Sequence, residues 1–197
     1  TNFGFELLET GPRMDRFQEG LEVITRLLRS DEPVSFQGRY YRLSDAILLP
    51  RPARAGGPPI VIGGNGPKRT LPLTARYADE WNAVFVPPAR FAELSAQLDA
   101  LLAEAGRAPD EVRRTLMSGL LYGRDAAAVE RQLSERGRTR AELQERGLLV
   151  GTGAEVAAQI RAFGAAGVQR IMVQWLDLDD IAGLEQFAAE VLPAVAG

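Results

Sequence analysis

An α/β fold around a parallel sheet is the fold class predicted by this 197-residue sequence. The main observation is that short apolar runs alternate with longer segments whose apolar residues recur every three or four positions. A second observation is the composition, 46% hydrophobic and 25% charged, which is typical of a globular domain with one core. We therefore expect about four strand–helix units, with the strands parallel and the helices packed against the sheet.

The first part of the chain, residues 13–58, predicts a helix, a hairpin and a loop. Apolar residues fall on one face of a helix from about 13 to 30. Residues 34–43 are typical of a hairpin whose turn lies at Gln37-Gly38. The stretch 49–59 is rich in Pro, Gly and Arg, so an extended loop is expected there.

Residues 59–123 predict three strands of the sheet. These strands are expected at 60–64, 81–86 and 115–122, and a helix at 67–78 joins the first two. A longer helix precedes the third strand and has an apolar face made of Phe91, Leu94, Leu98 and Leu101. The alternation of strands and helices indicates parallel pairing, because parallel strands need a crossover connection.

The remaining residues predict an insertion and a last unit. Residues 124–151 are expected to be a helical insertion of two short helices, the second of which begins at the capping box of Thr139. Residues 152–197 predict a helix, a strand at 169–176 and a final helix at 180–195. We expect all 197 residues to form a single domain.

The composition excludes several classes of function. A net charge of −3 and the lack of a basic run argue against a nucleic-acid-binding surface. Without cysteine or histidine, the chain cannot form a disulfide, a thiolate or imidazole metal site, or a Ser-His-Asp triad. No apolar run reaches the ~18 residues of a membrane span and no signal peptide is visible, so a cytoplasmic location is expected. Acidic residues at 177, 179 and 180 are interpreted as helix caps, and no metal is expected.

A Gly-rich turn after the first apolar strand is the main candidate binding site. It contains, in order, Gly63, Gly64, Asn65, Gly66, Lys68, Arg69 and Thr70. Glycines allow backbone N–H groups to converge on an anion, and the start of the next helix adds partial positive charge. The spacing matches neither a Walker loop nor a Rossmann fingerprint. The residues alone leave two alternatives open, a phosphate site and an ordinary strand–helix turn.

The order of five motifs resembles the bacterial luciferase-like monooxygenase superfamily, and in particular its F420-dependent branch. The motifs are RFQEGLEVI at 16–24, PVSFQGRYY at 33–41, PPIVIGGNGPKRT at 58–70 continued by LPLTARYADEWN at 71–82, LLVGT at 148–152 and LDLDD at 176–180. The resemblance implies a (β/α)8 TIM barrel, which usually takes about 250 residues. It aligns Thr1 with the loop after the fourth strand, so this chain is expected to be the C-terminal part of a longer protein.

The same resemblance implies a function. Such proteins bind coenzyme F420 or, as the alternative, FMN, and perform hydride transfer or monooxygenation on a small organic substrate. The cofactor phosphate is then expected at Gly63, Gly64, Asn65 and Gly66, with Lys68, Arg69 and Thr70 as side-chain candidates and Asn82 facing the ring or the substrate. No catalytic residue is assigned. The alternative is a non-catalytic partial-barrel module that binds the cofactor or is structural. Open sheet edges also predict a homo-oligomer or pairing with the N-terminal half.

Overall fold

The computed structural model describes residue 4 and residues 6–196. The chain first forms helix α1 (Thr10–Arg29) and then an antiparallel hairpin of strands β1 (Val34–Gln37) and β2 (Arg42–Ala46). The helix and the hairpin therefore lie within a few residues of the predicted positions. The next element begins only at Val61, so the predicted Pro- and Gly-rich loop is confirmed.

The hairpin turn is bound to α1 through one carboxylate. Glu19 accepts hydrogen bonds from the backbone N–H groups of Arg39, Tyr40 and Tyr41 at 2.9, 2.8 and 3.2 Å. Desolvation raises the pKa of Glu19, but these three bonds to its charged form outweigh that effect and hold the pKa below its usual range. The hairpin therefore has a structural partner and is not a free flap.

The main sheet consists of parallel strands. Its members are β3 (Val61–Gly63), β4 (Glu80–Val84), β5 (Arg113–Tyr122), β6 (Leu149–Gly151) and β7 (Arg170–Gln174). Strand β5 is central, because it pairs with β4, β6 and β7, and every pairing is parallel. The four predicted parallel strands are thus confirmed. The sheet does not close into a barrel within the described residues, so the fold is a partial TIM barrel.

Helices connect these strands and pack against the sheet. They are α2 (Thr70–Tyr77), α3 (Pro88–Glu104), α4 (Ala126–Glu135), α5 (Arg140–Glu145), α6 (Gly153–Ala165) and α7 (Ile181–Val195). The buried face of α3 consists of Phe91, Leu94, Leu98 and Leu102, and Leu102 replaces the predicted Leu101. Trp81 of β4 is fully buried and stacks on Phe91 at a centroid distance of 5.1 Å. Trp81 is therefore a core residue.

Two details of the prediction are wrong. The region 124–151 is not purely helical, because it also contains β6, whose residues pair with the last three residues of β5. Three residues are too few to show a strand pattern, so only this pairing reveals the strand. Helix α2 begins at Thr70 and not at residue 67. The intervening residues form a turn, closed by the bond from the Leu71 N–H to the Gly66 carbonyl at 3.0 Å.

Candidate functional site

The Gly-rich turn follows β3 and is attached to β4 by backbone bonds. Gly64 has a φ of +121°, in the region that glycine adopts and other residues rarely do. Its N–H donates to the Asn82 carbonyl at 3.0 Å, and its carbonyl accepts from Trp81 Nε1 at 2.9 Å. The direction of the turn is therefore set by the neighbouring strand, and Gly64 is required by its backbone conformation.

Asn65 has a structural role that the sequence did not indicate. Its Nδ2 donates to the Val84 carbonyl at 2.6 Å, and its Oδ1 accepts from the Val84 N–H at 2.9 Å. The side-chain amide thus replaces a backbone partner at the end of β4. Because both ends of the amide are engaged with β4, Asn65 orients the turn.

Unpaired backbone N–H groups follow Asn65. In the part of the chain that the structure describes, the N–H groups of Gly66, Lys68, Arg69 and Thr70 make no hydrogen bond. A Cβ on Gly66 would lie 2.8 Å from Thr70 Oγ1, so the close approach of these two residues requires glycine. N–H groups without partners at a helix start, next to a hydroxyl, are the donor set that binds phosphate. The residues present therefore fit the phosphate of a flavin or deazaflavin.

The two cationic side chains of the turn differ in whether they form an ion pair. Lys68 is exposed and makes no ion pair among the described residues. Arg69 is paired with Asp15 of α1 through Nη2 and Oδ1 at 2.5 Å, and both side chains are close to half exposed. Asp15 therefore already offsets the charge that Arg69 was expected to give to a ligand. Lys68 is the cation that the structure leaves available.

Asn82 is directed away from the turn. Its backbone pairs with Gly63, but its side chain is 8% exposed and donates from Nδ2 to Thr115 Oγ1 at 3.0 Å. Thr115 in turn donates to Glu80 at 2.9 Å, and Glu80 is paired with Arg170 of β7. The side chain thus belongs to a polar network inside the sheet, across β4, β5 and β7. Of the predicted set, the turn residues come together, while the Asn82 side chain lies apart.

A cleft of about 330 Å³ opens where β4, β5 and β7 end. Phe85 lies at its edge with a φ of +50°, which is rare for a bulky residue. Two exposed arginines, Arg136 and Arg146, line it at the ends of α4 and α5. Phe85, Gly119 and Gln174 lie where the rule that ligands bind at the carboxyl ends of strands expects a site. That rule missed both arginines, because they come from the insertion and no local pattern links them to the sheet.

The remaining polar candidates are structural. Asp180 caps α7 by accepting from the Gly183 N–H at 2.9 Å, which confirms its interpretation as a cap. Within the described ranges, no cluster of acidic residues is arranged to hold a metal ion. Tyr122 lies beside the cleft and donates to Glu190 at 3.1 Å. Burial, followed by this bond to a carboxylate, raises the pKa of Tyr122 to about 12, so its hydroxyl is a hydrogen-bond donor at neutral pH.

None of the helices in the described part of the chain is long and apolar enough to span a membrane.

Comparison with curated proteins finds a ketoreductase and an F420-dependent dehydrogenase that are similar to the chain. It is 34% identical over 120 residues to a phthiodiolone/phenolphthiodiolone dimycocerosates ketoreductase of Mycobacterium kansasii, a match that covers 60% of this chain and 32% of the relative. It is 27% identical over 215 residues to an F420-dependent glucose-6-phosphate dehydrogenase of Intrasporangium calvum, covering 94% of this chain and 62% of the relative. The chain thus spans between about a third and two thirds of the length of these relatives.

Solved structures share the fold. An F420-dependent secondary alcohol dehydrogenase in complex with an F420–acetone adduct superposes with a TM-score of 0.81 at 22% identity, covering 98% of this chain and 64% of that one. EDTA monooxygenase from Chelativorans sp. BNC1 superposes with a TM-score of 0.79 at 18% identity and covers 98% and 62%. A family model described as luciferase-like monooxygenase matches residues 2–145, more than half of the chain. The chain therefore belongs to the luciferase-like monooxygenase family.

Proposed function

We propose that this chain carries the cofactor phosphate site of an F420-dependent oxidoreductase that transfers a hydride to or from a small organic substrate. One observation carries the proposal: the unpaired N–H groups from Gly66 to Thr70, which follow the left-handed Gly64 at the carboxyl end of β3. FMN, whose phosphate would use the same donors, is the alternative cofactor. A non-catalytic cofactor-binding module is the alternative function.

Several residues of the turn would contribute to binding the cofactor phosphate. The N–H groups of Gly66, Lys68, Arg69 and Thr70 would bind the phosphate oxygens, and the partial positive charge at the start of α2 would favour the anion. Lys68 would add a full charge from the solvent side. Asn65 and Gly64 would hold the donors in place through their bonds to β4.

The lack of histidine is compatible with this activity. The bound deazaflavin would supply the hydride chemistry, so the protein needs to provide anchoring, orientation and a shaped pocket. The F420-dependent names of the relatives favour F420 over FMN. The polar network of Glu80, Asn82, Thr115 and Arg170 lies on the strands that would carry the pocket, and it would keep their register fixed.

The test is a fluorescence titration of F420 and of FMN against the chain and four variants. Gly64→Val is expected to weaken F420 binding at least tenfold. Valine rarely adopts a positive φ, and the positive φ of Gly64 sets the direction of the turn. Gly56→Val is the matched control, since Gly56 also has a positive φ, of +77°, but lies in the preceding loop with open space around it. Lys68→Ala is expected to weaken binding roughly threefold to tenfold, and Lys68→Arg to preserve it.

The outcomes separate the alternatives. Tight F420 binding that is lost in Gly64→Val and kept in Gly56→Val supports the site. If both glycine variants bind F420 as the parent does, the phosphate lies elsewhere and the proposal fails. If FMN binds at least tenfold more tightly than F420, the cofactor is FMN, and monooxygenation becomes the better proposal.

The partners of the chain also remain proposals. Val61 and Met172 are 52% and 38% exposed on a parallel sheet that does not close in the described residues. Parallel sheets are normally covered on both faces, so we propose that a second copy or further residues of a longer protein cover this one. Light scattering of the chain tests the first possibility, and a monomer would exclude it. The cytoplasmic location stays a prediction.

A further inference from the structure

We propose that the cleft at the ends of β4, β5 and β7 binds a substrate with an apolar body and a single anionic group, a carboxylate or a phosphate ester. This inference rests on the proposed function, because it assigns the substrate class of that same active region. It adds the residues that select the substrate, which lie in the insertion of α4 and α5 and directly after β4. None of these residues belongs to the Gly-rich turn.

The apolar part of the cleft is built for a small hydrophobic body. Its volume of about 330 Å³ is at the lower end of the range for small-molecule sites. Its wall includes five leucines, Leu120, Leu121, Leu143, Leu148 and Leu176. Leu176 is 80% exposed, so the wall still presents apolar surface that a ligand would cover.

Phe85 is held in the cleft at the expense of backbone strain. Its φ of +50° is unfavourable for an aromatic residue, yet its N–H is paired with the Met117 carbonyl at 3.0 Å. The ring lies over Gly119, where an added Cβ would be only 3.2 Å from Phe85 Cε1. The ring is 37% exposed, so core burial does not account for the strained position. A ring presented in this way forms a rigid apolar contact for a ligand.

The charge in the cleft comes from arginines that the protein leaves largely unneutralised. Arg146 makes no hydrogen bond or ion pair through its side chain among the residues that the structure describes, and Arg136 makes one bond, to Gln132 at 3.2 Å. The acidic groups of the adjoining cavity are Asp177 and Asp180, and Asp180 is already paired with Arg124. A guanidinium beside an apolar cavity fits a carboxylate or phosphate attached to an apolar body.

Calorimetric titration of the chain with decanoate, decyl phosphate and 1-decanol tests the proposal. Decanoate or decyl phosphate is expected to bind about tenfold more tightly than decanol, because only the anions use the guanidinium groups. Arg146→Ala is expected to remove about tenfold of the affinity for the anion and to leave decanol binding unchanged. Arg131→Ala is the matched control, since Arg131 is an exposed arginine of α4 that does not line the cleft. Phe85→Ala is expected to weaken the anion and decanol alike.

Each result bears on the proposal. Equal binding of decanoate, decyl phosphate and decanol overturns it, as does an anion affinity that Arg146→Ala leaves unchanged or that Arg131→Ala lowers equally. The two anions differ in the headgroup and by one methylene, so an affinity difference larger than the roughly fourfold effect of a methylene identifies a carboxylate or a phosphate ester as the substrate group. The titrations contain no F420. A negative result would therefore contradict the substrate assignment without bearing on the cofactor site. If Arg146→Ala instead weakens F420 and not the amphiphiles, the arginine serves the cofactor and the substrate assignment is wrong.

Discussion

The side-chain amide of Asn65 forms two hydrogen bonds with the backbone of one residue, Val84, at 2.6 and 2.9 Å. This pair joins the Gly-rich turn after β3 to the end of β4. It connects the N–H groups of the turn to the Phe85 edge of the cleft, because Phe85 follows Val84 directly in the chain. The candidate phosphate site and the candidate substrate cleft therefore share a structural link.

Loss of the Asn65 amide is expected to destabilise the protein. Asn65→Ala should lower the free energy of unfolding by about 1–3 kcal/mol, since two hydrogen bonds are lost and the Val84 groups stay partly buried. Asn65→Asp should be no better, because a carboxylate oxygen would then face the Val84 carbonyl. Urea denaturation measures both. Gln97→Ala, on the exposed side of α3, is the control and should stay within about 0.5 kcal/mol of the parent.

Removal of Asp15 is expected to strengthen anion binding at the turn. In Asp15→Asn, Arg69 loses its partner at 2.5 Å and can turn toward a bound phosphate. The gain in F420 affinity should be about twofold to fivefold, the range expected for releasing a half-exposed ion pair. Arg69→Ala should weaken F420 binding by a similar factor. If Asp15→Asn binds F420 more weakly than the parent does, Asp15 supports the site and does not compete with the ligand.

The hairpin contact of Glu19 predicts an acid-sensitive contribution to stability. The pKa of Glu19 is lowered in the folded protein from its model-compound value of 4.5, so its contribution is present above that value and is lost as the pH falls through the lowered pKa. Glu19→Gln should therefore melt below the parent at about pH 7, and the difference should shrink at about pH 3. Thermal melts at both pH values measure this.

A control variant identifies the source of that pH dependence. Glu32→Gln removes the same charge from the loop before the hairpin, where the side chain makes no hydrogen bond among the described residues. It should melt like the parent at both pH values. A gap between the parent and Glu19→Gln that stays constant with pH would show that packing of the side chain, and not its charge, binds the hairpin.

Two glycines of the insertion separate backbone strain from steric contact. Gly137 and Gly147 have φ values of +57° and +78°, and a Cβ on Gly137 would meet nothing within 4 Å. Gly137→Ala should thus cost only about 1 kcal/mol of the free energy of unfolding, for the left-handed conformation alone. At Gly147 the same Cβ would lie 2.3 Å from the Val86 backbone nitrogen, so Gly147→Ala should cost several times more. Equal losses in denaturant unfolding would contradict the close contact between the insertion and the end of β4.

Local patterns predicted most of the helices and strands of this protein. The short apolar runs of β4 and β5 and the helical face of α3 depend on residues close in sequence, so they can be read directly. The Gly-rich turn was found in the same way, because glycine content and a following helix are local properties. The strand β6 was missed, since its three residues become a strand only by pairing with the end of β5. The extent of the domain stays a prediction.

The sequence by itself determined that the chain forms a parallel α/β sheet with a candidate phosphate turn at Gly63–Gly66. Only the tertiary structure decided what each polar group of that region does. Asn65 binds Val84, Arg69 binds Asp15 across 54 positions of sequence, and Arg146 reaches the cleft from an insertion. The physical reason is that a hydrogen bond or an ion pair depends on which groups meet in space. Local periodicity specifies which side of an element a residue occupies, but not which distant residue lies opposite it.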